Sequence, residues 1–340
     1  MQLDMSRVSR IGIDKLVLSG IKVETNKKST ITEGQGWIEE KFELREELFS
    51  IVKSIKLYET GVMVEGSYLR FNPNKIIYGH NISNARATEL REAVKKLVGE
   101  LNSRGITIEL ANAKVSEIEI NINIEKAFKE YKEVLTLLFT RIPNLRKIGN
   151  FNLNESYQKL FVDSTLYGGW ENHKVIAYDK RKEVNKEWLL DFDLLRIEWW
   201  LSSSSYKYYA SKFGRDNTLE LLMEDSEILD KIFKELCLKK LFKDGCKYLE
   251  EELVPNLERG YLAFRERNKL AVKKGRPIER NVFKHLDESY WIFDYSYLID
   301  LVSKYDKRHR GREIERIRKR YIHLNNKDKL SYLMDIILHH

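Results

Sequence analysis

Residues 172–201 read NHKVIAYDKRKEVNKEWLLDFDLLRIEWWL. Two strand-like runs flank a polar turn, and each carries polar groups where a strand made only for packing would not place them. In the run 175–180 a period of two puts Ile176, Tyr178 and Lys180 on one face and Val175, Ala177 and Asp179 on the other. In the run 194–201, Leu195, Ile197, Trp199 and Leu201 form an apolar side, and Arg196, Glu198 and Trp200 stand opposite. A sheet built from these runs offers a phenol, cations, a carboxylate and an aromatic ring.

Such a set suits phosphoryl transfer to tyrosine, in which a phenolate attacks a DNA phosphate that a metal ion has polarised. A phenol with a pKa of about 10 is a weak nucleophile at neutral pH and needs a cation beside it. Lys180 and a carboxylate-bound divalent ion would both serve. The stretch alone reads equally as an amphipathic sheet with a tyrosine and a salt bridge.

Upstream, residues 10–20 (RIGIDKLVLSG) predict a first strand in which Asp14 interrupts an otherwise apolar face. Residues 21–50 are charged and predict a loop with a short helix over 39–49. Residues 51–59 and 62–72 predict a hairpin turning at Thr60 and Gly61. It runs into the polar stretch 72–81 (NPNKIIYGHN), where His80 is either a site residue or a surface or capping residue. Leu90, Val94, Leu97, Val98 and Leu101 predict a helix over 88–103, capped by Thr88 and stopped by Gly105.

The strand predicted over 114–124 has Ile118, Ile120, Ile122 and Ile124 on one side and Glu117, Glu119, Asn121 and Asn123 on the other. That polar row reads as the solvent face of an antiparallel strand. It reads also as a row of oxygen ligands, because Glu and Asn are depleted in strands and hard divalent ions prefer oxygen. A helix over 125–140, closed by Pro143, and a strand over 157–167, turning at Gly168 and Gly169, complete the order β-β-β-α-β-α-β-β-β. The expected class is α+β, a mostly antiparallel sheet with helices packed on one face, followed by a mainly helical C-terminal region.

Five stretches carry a family resemblance: IDKLVLS, FNPNKIIYGHN, VSEIEININ, STLYGGWENHKVIAYDKRKE and LLRIEWWL, in that order over residues 10–205. Together they resemble the phage-type rolling-circle replication initiators, the family of the filamentous-phage gene II protein, related to plasmid trans-acting Rep proteins. The resemblance implies a Rep/relaxase-like fold and makes Tyr178 the nucleophile in a Tyr-x-Lys-x-x-Glu context, with Lys180 and Glu183 beside it. It makes Glu119 a strand carboxylate that supports metal binding and Glu198 the carboxylate of an Arg-x-Glu strand. The family usually shows Arg-Ile-Asp where this chain has Glu117-Ile118-Glu119, so the acid is kept and its basic neighbour lost. His80 falls in a Gly-His-Asn loop motif, and Asp14 matches an early acidic position near the metal.

The expected metal set is thus Glu119, Glu198, Asp14, Glu183 and His80 around Mg²⁺ or Mn²⁺, with Tyr178, Lys180 and Arg196 as the catalytic set. Arg196 is expected to orient the phosphate or Glu198. Among 18 tyrosines, Tyr157, Tyr167, Tyr206, Tyr208 and Tyr209 are the rivals of Tyr178. The expected activity nicks and rejoins origin DNA, presented as a single strand, a hairpin or a supercoiled duplex, with a host helicase and polymerase as partners. The alternatives are a conjugative relaxase of the same chemistry and a non-catalytic DNA-binding regulator.

From Asn217 onward the spacing turns helical. Two segments, 265–280 and 304–320, are densely basic, and in the second 9 Lys and Arg stand against 3 acids. Such faces read as solvated or as phosphate contacts. The DNA-contact expectation rests on Arg276, Arg280, Arg308, Arg310, Arg312, Arg316, Lys319 and Arg320. Tyr290, Trp291, Phe293, Tyr295 and Tyr297 between the segments read as core more readily than as base-stacking rings. The expected domains are a nicking domain at 1–215 and a helical, basic accessory domain at 216–340.

Composition bounds the rest. The chain of 340 residues is 42% hydrophobic and 33% charged, with a net charge of +8, which fits a globular protein and excludes long disordered tracts. Cys237 and Cys246 lack metal-ligand spacing. No signal-peptide run opens the chain, and no window reaches the roughly 20 apolar residues of a membrane span, so a host-cell cytoplasmic location without membrane contact is expected.

Overall fold

The computed structural model describes residues 3–142, 164–184, 190–278, 292–306 and 310–339. Its strands are β1 (Gly12–Ser19), β2 (Lys22–Thr25), β3 (Thr30–Gly34), β4 (Trp37–Arg45), β5 (Phe49–Tyr58), β6 (Met63–Phe71), β7 (Ile106–Glu109), β8 (Lys114–Ile124), β9 (Thr165–Gly169), β10 (His173–Asp179) and β11 (Leu195–Ser202). Nine of them form one sheet in the order β3-β4-β5-β6-β1-β8-β11-β10-β9, and β2 pairs with β7 separately. Each pairing is antiparallel.

The isoleucine row explains why β8 lies inside the sheet. Ile118, Ile120 and Ile122 have no exposed surface and Ile124 has 2%. Each such side chain contributes about 1.5–3 kcal/mol relative to exposure. Cross-strand partners extend the layer: Ile120 faces Ile13 on β1 and Trp199 on β11, and all three are fully buried. The opposite face of these strands is polar, and the site lies there.

Helices in chain order are α1 (Met5–Val8), α2 (Pro73–Tyr78), α3 (Leu90–Ser103), α4 (Phe128–Phe139), α5 (Lys180–Val184), α6 (Ser203–Lys212), α7 (Leu219–Glu224) and α8 (Ile228–Leu236). α3 buries Leu90, Ala93, Leu97 and Leu101 and packs on α2 and β7. α6, N-capped by the Ser202 side chain, packs on β8 and β11.

The described residues fall into two compact units, one of 3–128, 164–184 and 190–236, the other of 129–142, 237–278, 292–306 and 310–339. The first therefore takes in α7 and α8 beyond the expected boundary at 215, and most of α4 falls in the second. The second unit is helical, with long helices at Val254–Lys273, Tyr295–Tyr305, Arg310–Tyr321 and Asn326–His339. Its core gathers Leu257, Tyr261, Phe264, Leu298, Val302, Ile317 and Tyr321, with Tyr295 and Tyr297 packed against it. Those two tyrosines are half-buried at its edge and Phe293 is buried, while Tyr290 and Trp291 lie outside the described residues.

Three local expectations differ from the structure. Residues 21–50, read as a loop with a short helix at 39–49, form β2, β3, β4 and the start of β5. Their cross-strand pairing supplies what their glutamate-rich local propensity does not. The polar stretch 72–81 holds a helix, α2, with the Asn72 side chain accepting from Lys75 N at its start and Gly79 at a φ of 75° closing it. The turn expected at Gly168 and Gly169 lies later, because both residues belong to β9 and Trp170 N donates to His173 O. The start of the expected strand over 157–167 lies outside the described residues.

Candidate active site

The β1–β8 register slips at two points, between Val17 and Leu18 and, at the site, between Ile13 and Lys15: Ile13 faces Ile120, Lys15 faces Glu119, and Asp14 is left without a strand partner. A bulge of this kind re-aims a side chain. Simple alternation separates Asp14 from Lys15, yet both meet the acidic face of β8. Asp14, Glu119 and Glu198 each place a carboxylate oxygen within 4.8 Å of the others, all three side chains being half-buried. Three strands, β1, β8 and β11, each contribute one acid.

Tyr178 stands on β10 opposite Arg196 of β11. Its hydroxyl donates to Glu198 Oε2 at 3.4 Å. Lys180 does not continue that strand. The strand ends at Asp179, and Lys180 opens α5, fully buried, with Nζ donating to Glu183 Oε2 at 2.7 Å and lying 5.8 Å from the Tyr178 ring centroid.

Arg196 has no exposed surface. Its Nε donates to Asn123 Oδ1 at 2.6 Å, its Nη2 to the Asn81 carbonyl at 2.7 Å and to Asn84 Oδ1 at 3.4 Å, and its Nη1 lies 3.2 Å from Asp14 Oδ1. Nε and Nη2 are committed to the fold, while Nη1 makes no hydrogen bond among the described residues and meets Asp14 as an ion pair, which aims the arginine at Asp14. Asn72 and Asn74, brought over by α2, donate to the same Asp14 oxygen at 3.5 and 3.3 Å. Gly12 permits the close approach of the segment that follows α2: a Cβ there would meet Ala85 O and Asn84 Cβ at 2.7 Å.

The electrostatics follow from burial and crowding. Burial, then Asp14 and Glu119, push the Glu198 carboxyl up to about 8 against the pull of Arg196 and Lys180. Burial also raises Glu119, opposed by Lys15, whose Nζ lies 2.7 Å away. At Asp14 burial is outweighed by Arg196 and Lys180, and its carboxyl is held below the usual value. Burial and then Glu198 lift the Tyr178 phenol well above 10. Burial and then Arg196 lower Lys180. The phenol thus holds its proton tightly until a further positive charge enters.

Three hard carboxylate oxygens in mutual reach fit Mg²⁺ or Mn²⁺. The crowding that raises the Glu198 carboxyl marks a deficit of positive charge that such an ion would fill, leaving Glu198 ionised. Open recesses of about 210 and 250 Å³ flank the acids and share Lys15 and Glu119. The first also holds Tyr167, Lys174 and Trp200, the second Arg70 and Asn72.

Two expected ligands stand outside the acid group. His80 is buried, and its Nδ1 accepts from the backbone of Ile82 at 3.2 Å and Ser83 at 3.4 Å, which makes it an organiser of its own loop. Glu183 is spent on Lys180 and on Asn81 Nδ2 at 3.4 Å. Of the expected DNA contacts, Arg276, Arg310, Arg312, Arg316, Lys319 and Arg320 are exposed, while Arg280 and Arg308 lie outside the described residues. Ile317 and Tyr321 turn inward on the helix that carries five of them.

Lys15, Asn72, Asn74 and Asn84 are not singled out by the sequence, although three of them lie in quoted motifs; Asn123, an oxygen ligand in the sequence reading, instead accepts from Arg196. Among the rival tyrosines, Tyr206 is buried and its phenol is raised by burial, Tyr208 and Tyr209 pack edge-on at 5.2 Å, and Tyr157 lies outside the described residues.

No helix among the described residues is long and apolar enough to cross a membrane. No family model and no curated protein sequence matches the chain. Among solved structures, the chain is similar to a rolling-circle replication initiator protein from Geobacillus stearothermophilus, at 12% identity and a TM-score of 0.34 over 68% of this chain and 85% of that one. A tesB protein from Mycobacterium avium subs paratuberculosis aligns at 8% identity and a TM-score of 0.12 over 56% of this chain and 79% of that one. At these TM-scores neither superposition defines a shared fold.

Proposed function

We propose that this protein initiates rolling-circle replication by nicking and rejoining one strand of origin DNA through a covalent 5′-phosphotyrosine on Tyr178. The observation that carries the reading is the Tyr178 hydroxyl on Glu198, at 3.4 Å, beside Asp14 and Glu119. The ordered motifs that resemble the phage-type initiators support the same residues.

In this reading the Tyr178 oxygen attacks the scissile phosphorus, its proton passes to Glu198, and the bond from phosphorus to the 3′ oxygen breaks. The leaving 3′ oxygen takes that proton back from Glu198, and the resulting hydroxyl is the end that a host polymerase extends behind a host helicase. Asp14, Glu119 and Glu198 would hold a divalent cation, whose positive charge would polarise the phosphate and lower the cost of the phenolate. Lys180 adds a second positive charge near the ring. Arg196 keeps Asp14 in place, and Lys15 does so for Glu119. Reversal of the same steps reseals the displaced strand. The basic face of the helix Arg310–Tyr321 would hold duplex or single-stranded backbone by salt-dependent contacts.

Supercoiled origin DNA incubated with the protein and Mg²⁺ or Mn²⁺ tests this. The expected product is nicked DNA with protein on the 5′ end. A DNA-binding regulator would instead give only a salt-sensitive mobility shift, and that result would refute the nicking reading.

A further inference from the structure

Asn121 follows Glu119 by two residues on β8 and lies directly across from Glu198 on β11 and from Gly12 on β1. The pleat therefore sends its side chain to the face that carries the three acids. It has no exposed surface, and neither its Oδ1 nor its Nδ2 has a hydrogen-bond partner among the described residues. A buried polar group left unsatisfied costs about 1–3 kcal/mol, and native structures hold few of them.

Its neighbour Asn123 shows the contrast. There the Oδ1 accepts from Arg196 at 2.6 Å and the Nδ2 donates to the carbonyls of Val8 at 3.0 Å and Ile82 at 2.8 Å. That amide is fully employed in holding the fold. The amide of Asn121 is equally buried and employed in nothing, although an alanine or leucine would fill the space without leaving polar atoms unpaired.

We propose that Asn121 is a fourth protein ligand of the cation that Asp14, Glu119 and Glu198 would hold, with its Oδ1 as the donor. The inference rests on the metal site assigned above. An amide oxygen suits the position because it adds coordination without a fourth negative charge to a crowded group of carboxylates. Hard cations take amide oxygens alongside carboxylates.

The test uses the full chain without DNA, freed of metal, then titrated with Mn²⁺ while the electron paramagnetic resonance signal of the free ion is followed. Wild type takes up Mn²⁺, and Asn121→Leu does so at least about tenfold more weakly, the smallest loss usual when the shell around an ion is disturbed. Asn121→Asp, which keeps the oxygen, binds at least as tightly as wild type. In chelator, Asn121→Leu unfolds at or above the wild-type temperature, because no hydrogen bond is lost.

Wild-type Mn²⁺ affinity in Asn121→Leu overturns the inference, as does a fall of several degrees in its metal-free Tm, which would reveal a structural partner. If Asn121→Leu fails to fold, weaker binding by Asn121→Asp overturns it. Loss of uptake in Glu198→Gln together with full uptake in Asn121→Leu refutes the role of Asn121 alone. A wild type that takes up no Mn²⁺ refutes the metal site and this ligand together.

Discussion

On β3, β4 and the first turn-side residues of β6 the side chains stand largely in water, apolar ones included: Ile31 is 67% exposed and Met63 64%. On β8 and β11 of the same sheet, Asn121, Asn123 and Arg196 have no exposed surface at all. The ion pairs of the outer strands, such as Lys41 with Glu43 at 2.8 Å, are of the solvent-screened kind worth about 0–1 kcal/mol. Arg196 instead sits where an unpaired charge is intolerable, and four protein groups surround its guanidinium. A sheet gains little stability by burying charge in its middle when hydrocarbon of equal volume would serve. The polar centre therefore points to chemistry, and the outer hairpins to scaffolding.

The contrast breaks most visibly at Arg196. Arg196→Ala removes the ion-pair partner of Asp14 and leaves the Asn123, Asn81 and Asn84 oxygens without their donor, and unfolding in denaturant is expected to show a loss of about 3–5 kcal/mol. Arg196→Lys should recover only part of it, since a point charge cannot match the fork. A loss under about 1 kcal/mol would place Arg196 with the surface pairs and remove the distinction between the two regions.

A smaller effect sits at Glu198 and depends on pH. Its pKa is about 8 in the fold against 4.5 for the ordinary side chain, so between those values the folded state binds more protons than the unfolded one. Stability from this group is present below about pH 4.5 and is lost as pH rises through 8. In chelator, the Tm of Glu198→Gln should match wild type near pH 5 and exceed it increasingly toward pH 8. Parallel Tm profiles would mean that the acids do not crowd one another. The smallest effect belongs to the hairpins: Ile31→Thr and Met63→Thr should each change stability by less than about 0.5 kcal/mol and leave nicking untouched. A nicking defect there would extend the site onto the outer strands.

The same contrast governs what the sequence discloses. In the centre, strict alternation of isoleucine with polar residues over Lys114–Ile124 made β8 and its two faces legible, and alternation over 194–201 did so for β11. The hairpin at Thr60 and Gly61 was equally legible. The strands at Thr30–Gly34 and Trp37–Arg45 were not, because both their faces are largely wet and alternation has nothing to report.

Within the site, Tyr178, Glu119 and Glu198 follow from strand periodicity combined with the family motifs. The approach of Asp14 depends on a one-residue register slip that no local pattern announces. The holding of Asp14 by Asn72 and Asn74 depends on α2 crossing from 58 and 60 residues away in sequence. Such contacts are set by tertiary packing, which periodicity does not encode.

Peptide mapping of the protein–DNA adduct tests the central claim most directly. After nicking, nuclease trimming and trypsin digestion, mass spectrometry should find the nucleotide on residues 175–180, VIAYDK, attached to Tyr178, and Tyr178→Phe should give no adduct at all. A nucleotide on a peptide carrying Tyr167 or Tyr206–Tyr209, or undiminished adduct in Tyr178→Phe, would contradict the account.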